Sequence, residues 1–358
     1  MNYVALSWTV LLVGDMNQIR KMANAYRHFR AGGFQAAKRF LRELDHNHAH
    51  VLSINPPIVY LWWGRDDSIL HQCLADSDLT VLYLFPWCYS TTELTRVQAY
   101  VQTIHNRFPR HQIIFLCNEE YAVEELRAAN LKAEFIHQNA FIDEQAFAPR
   151  PLVIRTHDAV YSASLAPYKR HSLAAKIQSL IIMSYTYGGT TSDAYSVSVR
   201  EELKHAWWAK DSLRSDQKFS VEQIVDLYAR AHVGLCLSAV EGGMFVSMEY
   251  LLCGLPIVST ESVGGRDVFW DDRYVIVCDD TPEAVEEAVT ELRNRNIAPQ
   301  DVRRWTLEKV MTHRNRLRLL MESLGAELNC PWPPGTHGIS TYTNLKKLGY
   351  NLREQSLS

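Results

Sequence analysis

The residues best suited to chemistry lie in one stretch, where two glutamates flank a pair of glycines. Glu241 is followed directly by Gly242 and Gly243, and Glu249 comes later in the same stretch. Glycine has no Cβ, so backbone N–H groups can approach an anionic ligand closely. Carboxylates accept hydrogen bonds from hydroxyl groups. The combination predicts a site for a ligand that carries both phosphates and hydroxyls, as a nucleotide sugar does.

The apolar segments on either side predict how this stretch is held. Residues 233–237 form a short, mostly apolar run that is typical of a buried strand, and an apolar segment of helical length follows the glycines. That segment stops at Gly254 and Pro256, which are common helix terminators. The glycines therefore lie where a strand passes into a helix, and the N-terminus of a helix favours a bound anion.

A second candidate anion site follows a predicted strand at residues 158–164. Pro167 is well placed in the first turn of a helix, which we expect to continue through Leu173 and Ile177. Lys169 and Arg170 then fall at the start of that helix, where positive charge is unfavourable unless an anion binds there. The alternative is an ordinary solvated pair of basic residues.

The spacing of Glu241 and Glu249, with Gly242–Gly243 after the first and Gly254-Leu-Pro256 after the second, resembles the donor-site signature of retaining GT-B glycosyltransferases. These are the group 1 glycosyl transferases, or glycosyltransferase family 4. The resemblance implies that Glu241 touches the donor sugar and that Glu249 binds the ribose hydroxyls. It also implies that N–H groups of the glycine loop hold the diphosphate.

The resemblance extends to the basic pair, with one departure. In the family an Arg and a Lys five residues later neutralise the donor diphosphate; Lys169 matches the Lys, but Ser164 stands in the place of the Arg. Arg170, or a charge from the other domain, could substitute. The predicted catalytic residues are Glu241 and Lys169. The predicted donor-binding residues are Arg170, Ser238, Gly242, Gly243, Met244, Phe245, Val246, Glu249, Gly264 and Gly265.

Gly264 and Gly265 come at the end of another predicted strand, and the resemblance implies that their loop closes over the sugar and its phosphates. Arg266 and Asp267 follow them and could contact donor or acceptor, or could form a salt bridge within the turn. Two further local signals predict helix starts. Ser220-Val-Glu-Gln223 has the form of a capping box, and Thr281 precedes Pro282 at the start of an amphipathic segment.

The first 150 residues predict a parallel sheet. Apolar runs at 58–63, 78–85 and 112–117 alternate with segments such as the helical 91–108. Ligands of such sheets gather at the carboxyl ends of the strands, so we expect an acceptor pocket near residues 64–66, 86–89 and 118–120. We predict an α/β fold of two Rossmann-like domains facing each other across a cleft (GT-B). Their predicted bounds are 1–150 for the acceptor side and 151–325 for the donor side, with a tail at 326–358 that crosses back.

Composition narrows the function further. The net charge of -3 argues against a nucleic-acid partner. The seven cysteines include no Cys-x-x-Cys pair, and the first thirteen residues suit neither a signal peptide nor a membrane span. These features predict a cytoplasmic protein. A segment at 15–45 has helix-like periodicity and many basic residues, which favours a helix with a solvated face and leaves peripheral contact with a membrane as an alternative. These basic residues are Arg20, Lys21, Arg27, Arg30, Lys38, Arg39 and Arg42. His46, His48 and His50 have no defined fourth ligand nearby, so we predict no metal site there.

These inferences predict a retaining, metal-independent glycosyltransferase whose partners are a nucleotide-sugar donor and an acceptor hydroxyl, and which needs no other cofactor. The base, the sugar and the acceptor stay open at this stage. One alternative is a sugar-nucleotide epimerase, and another is a non-catalytic protein that binds a nucleotide sugar or acts as a scaffold, which would fit Ser164. A dinucleotide oxidoreductase is disfavoured because no Gly-x-Gly-x-x-Gly follows any predicted strand.

Overall fold

The computed structural model describes residues 50–54, 56–64, 67–85, 89–185, 193–213 and 218–326. The segment at 15–45, His46, His48 and nearly all of the 326–358 tail lie outside the described residues. Part of the expected acceptor pocket, residues 65–66 and 86–88, lies outside them too. No helix within the described ranges combines the length and the apolar character that crossing a bilayer requires.

The first sheet runs across its five strands in chain order, and its last four strands are parallel. Its strands are β1 (His50–Ile54), β2 (Pro57–Trp62), β3 (Thr80–Leu84), β4 (Gln112–Cys117) and β5 (Ala133–Phe135). The helices that follow them are α1 (Ser68–Cys73), α2 (Thr91–Arg107) and α3 (Glu120–Ala128). The three predicted strands and the helix at 91–108 are confirmed. The edge strand β1, which pairs antiparallel with β2, was not predicted.

The second sheet is entirely parallel in its described strands, and their order is β11-β10-β9-β6-β7-β8. The strands are β6 (His157–Ser164), β7 (Leu180–Tyr185), β8 (Trp207–Trp208), β9 (Ala231–Cys236), β10 (Ile257–Thr260) and β11 (Val275–Cys278). After β6 the chain adds β7 and then β8 on one side of β6, and β9 pairs with the other side of β6. The order therefore reverses between β6 and β9, and parallel sheets bind ligands at the carboxyl ends of the strands at such a point.

Local signals set the ends of several helices of this second half, which are α4 (Asp193–Glu202), α5 (Val221–Ala229), α6 (Phe245–Leu252), α7 (Pro282–Arg295) and α8 (Pro299–Ser323). The predicted capping box is present. The Ser220 hydroxyl accepts a hydrogen bond from the Gln223 backbone amide at 3.2 Å, and the Gln223 side chain accepts one from the Ser220 backbone amide. Thr281 caps α7 as predicted. After α6, Gly254 adopts a φ of +77°, which ends the helix where the sequence predicts.

The helix predicted from Pro167 to Ile177 is wrong. Two short 3-10 turns, Pro167–Lys169 and His171–Ala174, take its place. Arg170 lies between them with a left-handed φ of 51°, a conformation that cannot continue an α-helix. Its guanidinium is held by the Leu237 carbonyl at 2.7 Å, which favours this break over a continuous helix.

Helix α8 joins the two halves of the molecule. Its Arg314 is buried and donates to the Ala140 carbonyl at 2.7 Å and to both carboxylate oxygens of Glu144. Arg303 on the same helix donates to the carbonyls of Phe147 and Leu252 at 2.7 Å. One continuous apolar cluster includes residues from both sheets and from α8. The α/β class is therefore confirmed, with two sheets packed around shared apolar contacts.

Candidate active site

The two predicted catalytic residues meet where the strand order reverses. Lys169 lies in the 3-10 turn after β6, and Glu241 lies on the loop after β9. The Lys169 ammonium donates a hydrogen bond to Oε1 of Glu241, and the Ser238 hydroxyl donates to the same oxygen at 2.8 Å. All three side chains are buried. The structure thus brings together, as a buried ion pair, residues that are 72 positions apart in the chain.

Burial also changes the acidity of this lysine. Removal from water lowers the pKa of Lys169 to about 8, because the charged form is disfavoured in an apolar environment. The ammonium is still mostly protonated at neutral pH. It can therefore neutralise a bound anion there, and it loses its charge under mildly alkaline conditions.

The glycine loop leads directly into the first turn of α6. Met244 occupies the position before the helix with a φ of 26°, which is unusual for a residue with a side chain, and no side chain caps this end. The N-terminus of a helix carries the positive end of the helix dipole, so the start of α6 suits an anionic ligand. The carbonyls of Gly243 and Met244 turn the other way and accept hydrogen bonds from the Asn139 side chain.

Glu249 lies on α6 and is anchored by a tyrosine. Its Oε2 accepts a hydrogen bond from the Tyr228 hydroxyl at 2.8 Å, and Tyr228 belongs to α5. Burial raises the pKa of Glu249 to about 7, while the Tyr228 hydrogen bond opposes that rise. The arrangement leaves the second carboxylate oxygen available to a ligand hydroxyl. Tyr228 was not recognised from the sequence, because a tyrosine 21 positions before Glu249 gives no local signal.

Arg170 does not join the Lys169 pair. Its guanidinium donates to the Leu237 carbonyl, to the Thr260 hydroxyl at 2.5 Å and to the Asp280 carboxylate at 2.6 Å. It therefore braces the ends of β9, β10 and β11. The structure does not favour Arg170 as a substitute for the arginine that is absent at Ser164, a buried residue that ends β6.

Arg266 is the basic residue whose importance the sequence understated. It is 1% exposed and donates to the Ser238 carbonyl at 2.7 Å, to the Ser259 hydroxyl and to the Thr260 carbonyl. Within the described residues no carboxylate pairs with it, and its Nε has no hydrogen-bond partner. The alternative of a turn salt bridge with Asp267 is therefore not what the structure contains. Because Arg266 holds the Ser238 carbonyl, a second buried positive charge lies close to the Lys169 and Glu241 pair.

The two glycine loops, at Gly242–Gly243 and at Gly264–Gly265, contact the first half of the molecule. A Cβ on Gly243 would overlap the Gln138 side chain, and a Cβ on Gly265 would overlap the Asn118 carbonyl. His137 donates from Nε2 to the Gly265 carbonyl at 2.8 Å, and burial lowers the pKa of His137 to about 3, so it stays neutral. The close approach explains why these positions lack side chains. The 3-10 segment Gln138–Phe141 is not among the residues that the sequence predicts for the site.

Among the described residues, no group of three or more His, Cys, Asp or Glu side chains is arranged to hold a metal ion. His50 belongs to β1, and the other two histidines of its cluster lie outside the described part of the chain.

Known proteins share the fold of this chain, and one family shares part of its sequence pattern. Residues 196–295 match the sequence profile of the family described as Glycosyl transferases group 1. No curated protein sequence matches the chain. Anabaena Alr3699/HepE, solved in complex with UDP, is similar with a TM-score of 0.55 and 12% identity, covering 74% of this chain and 78% of its own. A glycosyltransferase from Rickettsia africae ESF-5 has a TM-score of 0.50 and 12% identity, with 82% of each chain covered.

The predicted GT-B architecture is confirmed by these superpositions, which at such identities speak for the fold alone. The profile match begins in α4 and ends in α7, so it includes the glycine loop, Glu241, Glu249 and Arg266. The chain therefore has the GT-B fold, and residues 196–295 carry the sequence pattern of group 1 glycosyl transferases.

Proposed function

We propose that this chain is a family 4 glycosyltransferase that moves a sugar from a nucleoside-diphosphate sugar to an acceptor hydroxyl, with retention of configuration and without a metal ion. The observation that carries this proposal is the excess of buried positive charge where the strand order reverses. Lys169 and Arg266 are both buried there beside the carboxylate of Glu241. A buried charge without an opposite charge beside it is unfavourable even when it is hydrogen-bonded, and a bound diphosphate would balance the second cation.

The proposed chemistry is the departure of a nucleoside diphosphate. The bond between the anomeric carbon and the diphosphate oxygen breaks, and its electron pair stays with the diphosphate. The acceptor oxygen bonds to the same carbon from the same face, and its proton leaves with the diphosphate. Lys169 and the N–H groups at the start of α6 stabilise the growing negative charge, because positive charge and amide dipoles near a leaving diphosphate lower the energy of the transition state.

The carboxylates take separate roles in this proposal. When the ammonium of Lys169 turns to the diphosphate, Glu241 is released and orients a hydroxyl of the donor sugar. Glu249, held by Tyr228 at one oxygen, accepts hydrogen bonds from the ribose. The contacts of the first half with Gly243 and Gly265 support a closed form that keeps water away from the donor.

Thermal unfolding in the presence of nucleotide sugars tests the donor site. A ligand that binds the native state alone raises the melting temperature. We expect one class among UDP-, GDP-, ADP- and TDP-sugars to stabilise the wild type, and we expect Glu249→Ala to abolish that shift. Glu287→Ala, which removes an exposed carboxylate on α7, is the matched control and should leave the shift intact. If no class of nucleotide sugar stabilises the wild type, the donor site is refuted.

A non-catalytic binding protein is the second candidate, and Ser164 in place of the family's arginine favours it. Binding alone does not separate the two. Release of nucleoside diphosphate should depend on an added acceptor if the chain is a transferase, whereas an epimerase converts the donor with no acceptor present. Binding without any turnover across a panel of glycan, lipid-linked and small-molecule acceptors would favour the non-catalytic candidate.

A further inference from the structure

The segment that leads into β6 presents three consecutive apolar residues to solvent. Leu152, Val153 and Ile154 are 95%, 36% and 81% exposed, respectively, and we call them the apolar tip. The Val153 amide donates to the Arg150 carbonyl at 3.2 Å, which closes a turn with Pro151 and Leu152 at its corners. Proline at the first corner of a turn fixes the backbone there. The turn therefore holds the apolar tip in its exposed position.

The exposure of the apolar tip calls for a partner. Single apolar residues on a surface are ordinary, but a run of them promotes association unless it serves a function. Leu152 is almost completely exposed, so few neighbouring atoms cover it and the tip protrudes from the surface. A protruding tip of this kind gains free energy when a partner takes it out of water.

Arginines lie around the base of the apolar tip. Arg150 and Arg155 bracket it in the sequence, and the Arg230 carbonyl accepts a hydrogen bond from the His157 amide at 3.0 Å. Arg150 is paired with Asp226 at 3.3 Å. Among the described ion pairs none involves Arg155 or Arg230. The surface beside the tip therefore keeps positive charge that a negatively charged partner would complement.

A tryptophan lies on the same surface. The Trp207 ring centre is 5.8 Å from the guanidinium carbon of Arg230 and 5.4 Å from the centre of the His157 ring. Trp207 begins the edge strand β8 and is 36% exposed. Tryptophan favours the boundary between water and the hydrocarbon of a bilayer, because its ring is apolar and its N–H group is polar.

The shape and the charge of this surface favour a bilayer over a folded protein as the partner. A specific protein interface buries about 800 Å² on each side, which a protruding turn does not supply, whereas lipids close around a protrusion. A small apolar anchor alone binds membranes weakly, so stable binding needs a second attraction, such as basic charge toward anionic lipids. Arg155 and Arg230 provide that second attraction.

We propose that the apolar tip and Trp207 enter the surface of a bilayer that contains anionic lipids, while Arg155 and Arg230 lie against the lipid phosphates. This surface belongs to the second half of the molecule and is separate from the basic segment at 15–45. The inference goes beyond the proposed glycosyl transfer and does not depend on it.

The proposed membrane surface and the proposed donor site lie at opposite ends of β6. The strand begins at His157, beside Arg230, and ends at Ser164, just before the turn that carries Lys169. Its eight residues span roughly 25 Å. A bilayer bound at the apolar tip therefore leaves the donor site open, and changes to the tip should not affect nucleotide-sugar binding.

Co-sedimentation of the full chain with lipid vesicles tests the proposal. The vesicles are phosphatidylcholine alone, or phosphatidylcholine mixed in equal parts with phosphatidylglycerol. The tip variant combines Leu152→Ser with Ile154→Ser. The matched control combines Val277→Ser with Leu319→Ser, which removes two aliphatic side chains that are about half exposed on β11 and α8. Because all four side chains are exposed, both variants should keep the melting temperature of the wild type.

We expect the wild type and the control to sediment with the anionic vesicles. The tip variant should bind these vesicles at least about a hundredfold more weakly, since burial of one aliphatic side chain changes a binding constant by about tenfold to a hundredfold. Arg155→Gln combined with Arg230→Gln should weaken binding to the anionic vesicles by about thirtyfold, because each cation near an anionic surface contributes about fivefold. Added salt should weaken binding of the wild type in the same direction.

Several results would overturn the proposal. One is a wild type that does not sediment with either kind of vesicle, and another is a tip variant that binds as tightly as the control. A lower melting temperature of the tip variant would show that the tip packs against another part of the chain. Light scattering that detects a dimer of the wild type but a monomer of the tip variant would assign the tip to a second copy. Absence of nucleotide-sugar stabilisation would refute the donor site alone, and the vesicle result would stand.

Discussion

The buried pair of Lys169 and Glu241 leads to a quantitative prediction about stability. Their side chains are 9% and 6% exposed, and the Ser238 hydroxyl also donates to Glu241. Removing one partner of a buried ion pair leaves an uncompensated charge and typically costs about 3–5 kcal/mol. We therefore expect Lys169→Met to lower the free energy of unfolding by roughly 3 kcal/mol, since the hydrogen bond from Ser238 and the nearby positive charge of Arg266 offset part of the loss.

The double variant makes the reasoning specific. Lys169→Met combined with Glu241→Gln removes both charges and keeps an oxygen that can accept from Ser238. Replacing both members of a buried pair is often close to neutral. We expect the double variant to be less destabilised than Lys169→Met alone, so that the two substitutions are strongly non-additive.

Urea denaturation followed by tryptophan fluorescence measures these free energies. Lys176→Met is the matched control: Lys176 pairs with Glu283, but both side chains are about half exposed, and such surface pairs contribute about 0–1 kcal/mol. Equal losses for Lys169→Met and Lys176→Met would refute a buried ion pair at this position. So would additive losses in the double variant.

Two further predictions concern pH and the joining helix. Donor affinity should be greatest between about pH 7 and pH 8. At lower pH it falls because Glu249, whose pKa is raised, becomes protonated. At higher pH it falls because Lys169, whose pKa is lowered, loses its charge. Calorimetric titrations between about pH 5.5 and about pH 9.5 would show this maximum of donor affinity, and an affinity that does not change with pH would contradict it. Arg314→Met should lower the free energy of unfolding by about 3–5 kcal/mol, because it leaves the carboxylate of Glu144 and the backbone carbonyls of Ala140 and Ile142 without this donor. Arg318→Met, an exposed change on the same helix, should lower it by less than about 1 kcal/mol, and equal losses would contradict the role of α8.

Features governed by neighbouring residues were predictable from the sequence. The Ser220 capping box depends on residues three positions apart, and Gly254 ends α6 through its own backbone freedom. Apolar runs predict β2, β3 and β4 because a strand buried on both faces has few polar positions. The glycine loop between β9 and α6 follows from the same local signals.

Features governed by distant contacts were not predictable. Pro167 favours a helix locally, but Arg170 is fixed by atoms 67 to 110 positions away, and this tertiary effect overrides the preference. Arg266 could be read as half of a turn salt bridge because its burial and its lack of a carboxylate partner depend on packing. Gln138 meets Gly243 across 105 positions of chain, a relation that no spacing in the sequence reveals.

The contacts of α8 with residues 140–147 can form only late in the synthesis of the chain. The carbonyls at residues 140–147 are completed by Arg303 and Arg314, 156 to 174 positions later. A ribosome that adds about 5–20 residues per second needs roughly 8–35 s to cover that span. Throughout that interval all the described strands of the first sheet have been synthesised, but the carbonyls at residues 140–147 lack their partners on α8. A chaperone that protects apolar surface until α8 emerges should therefore raise the yield of this protein more than one that acts after release.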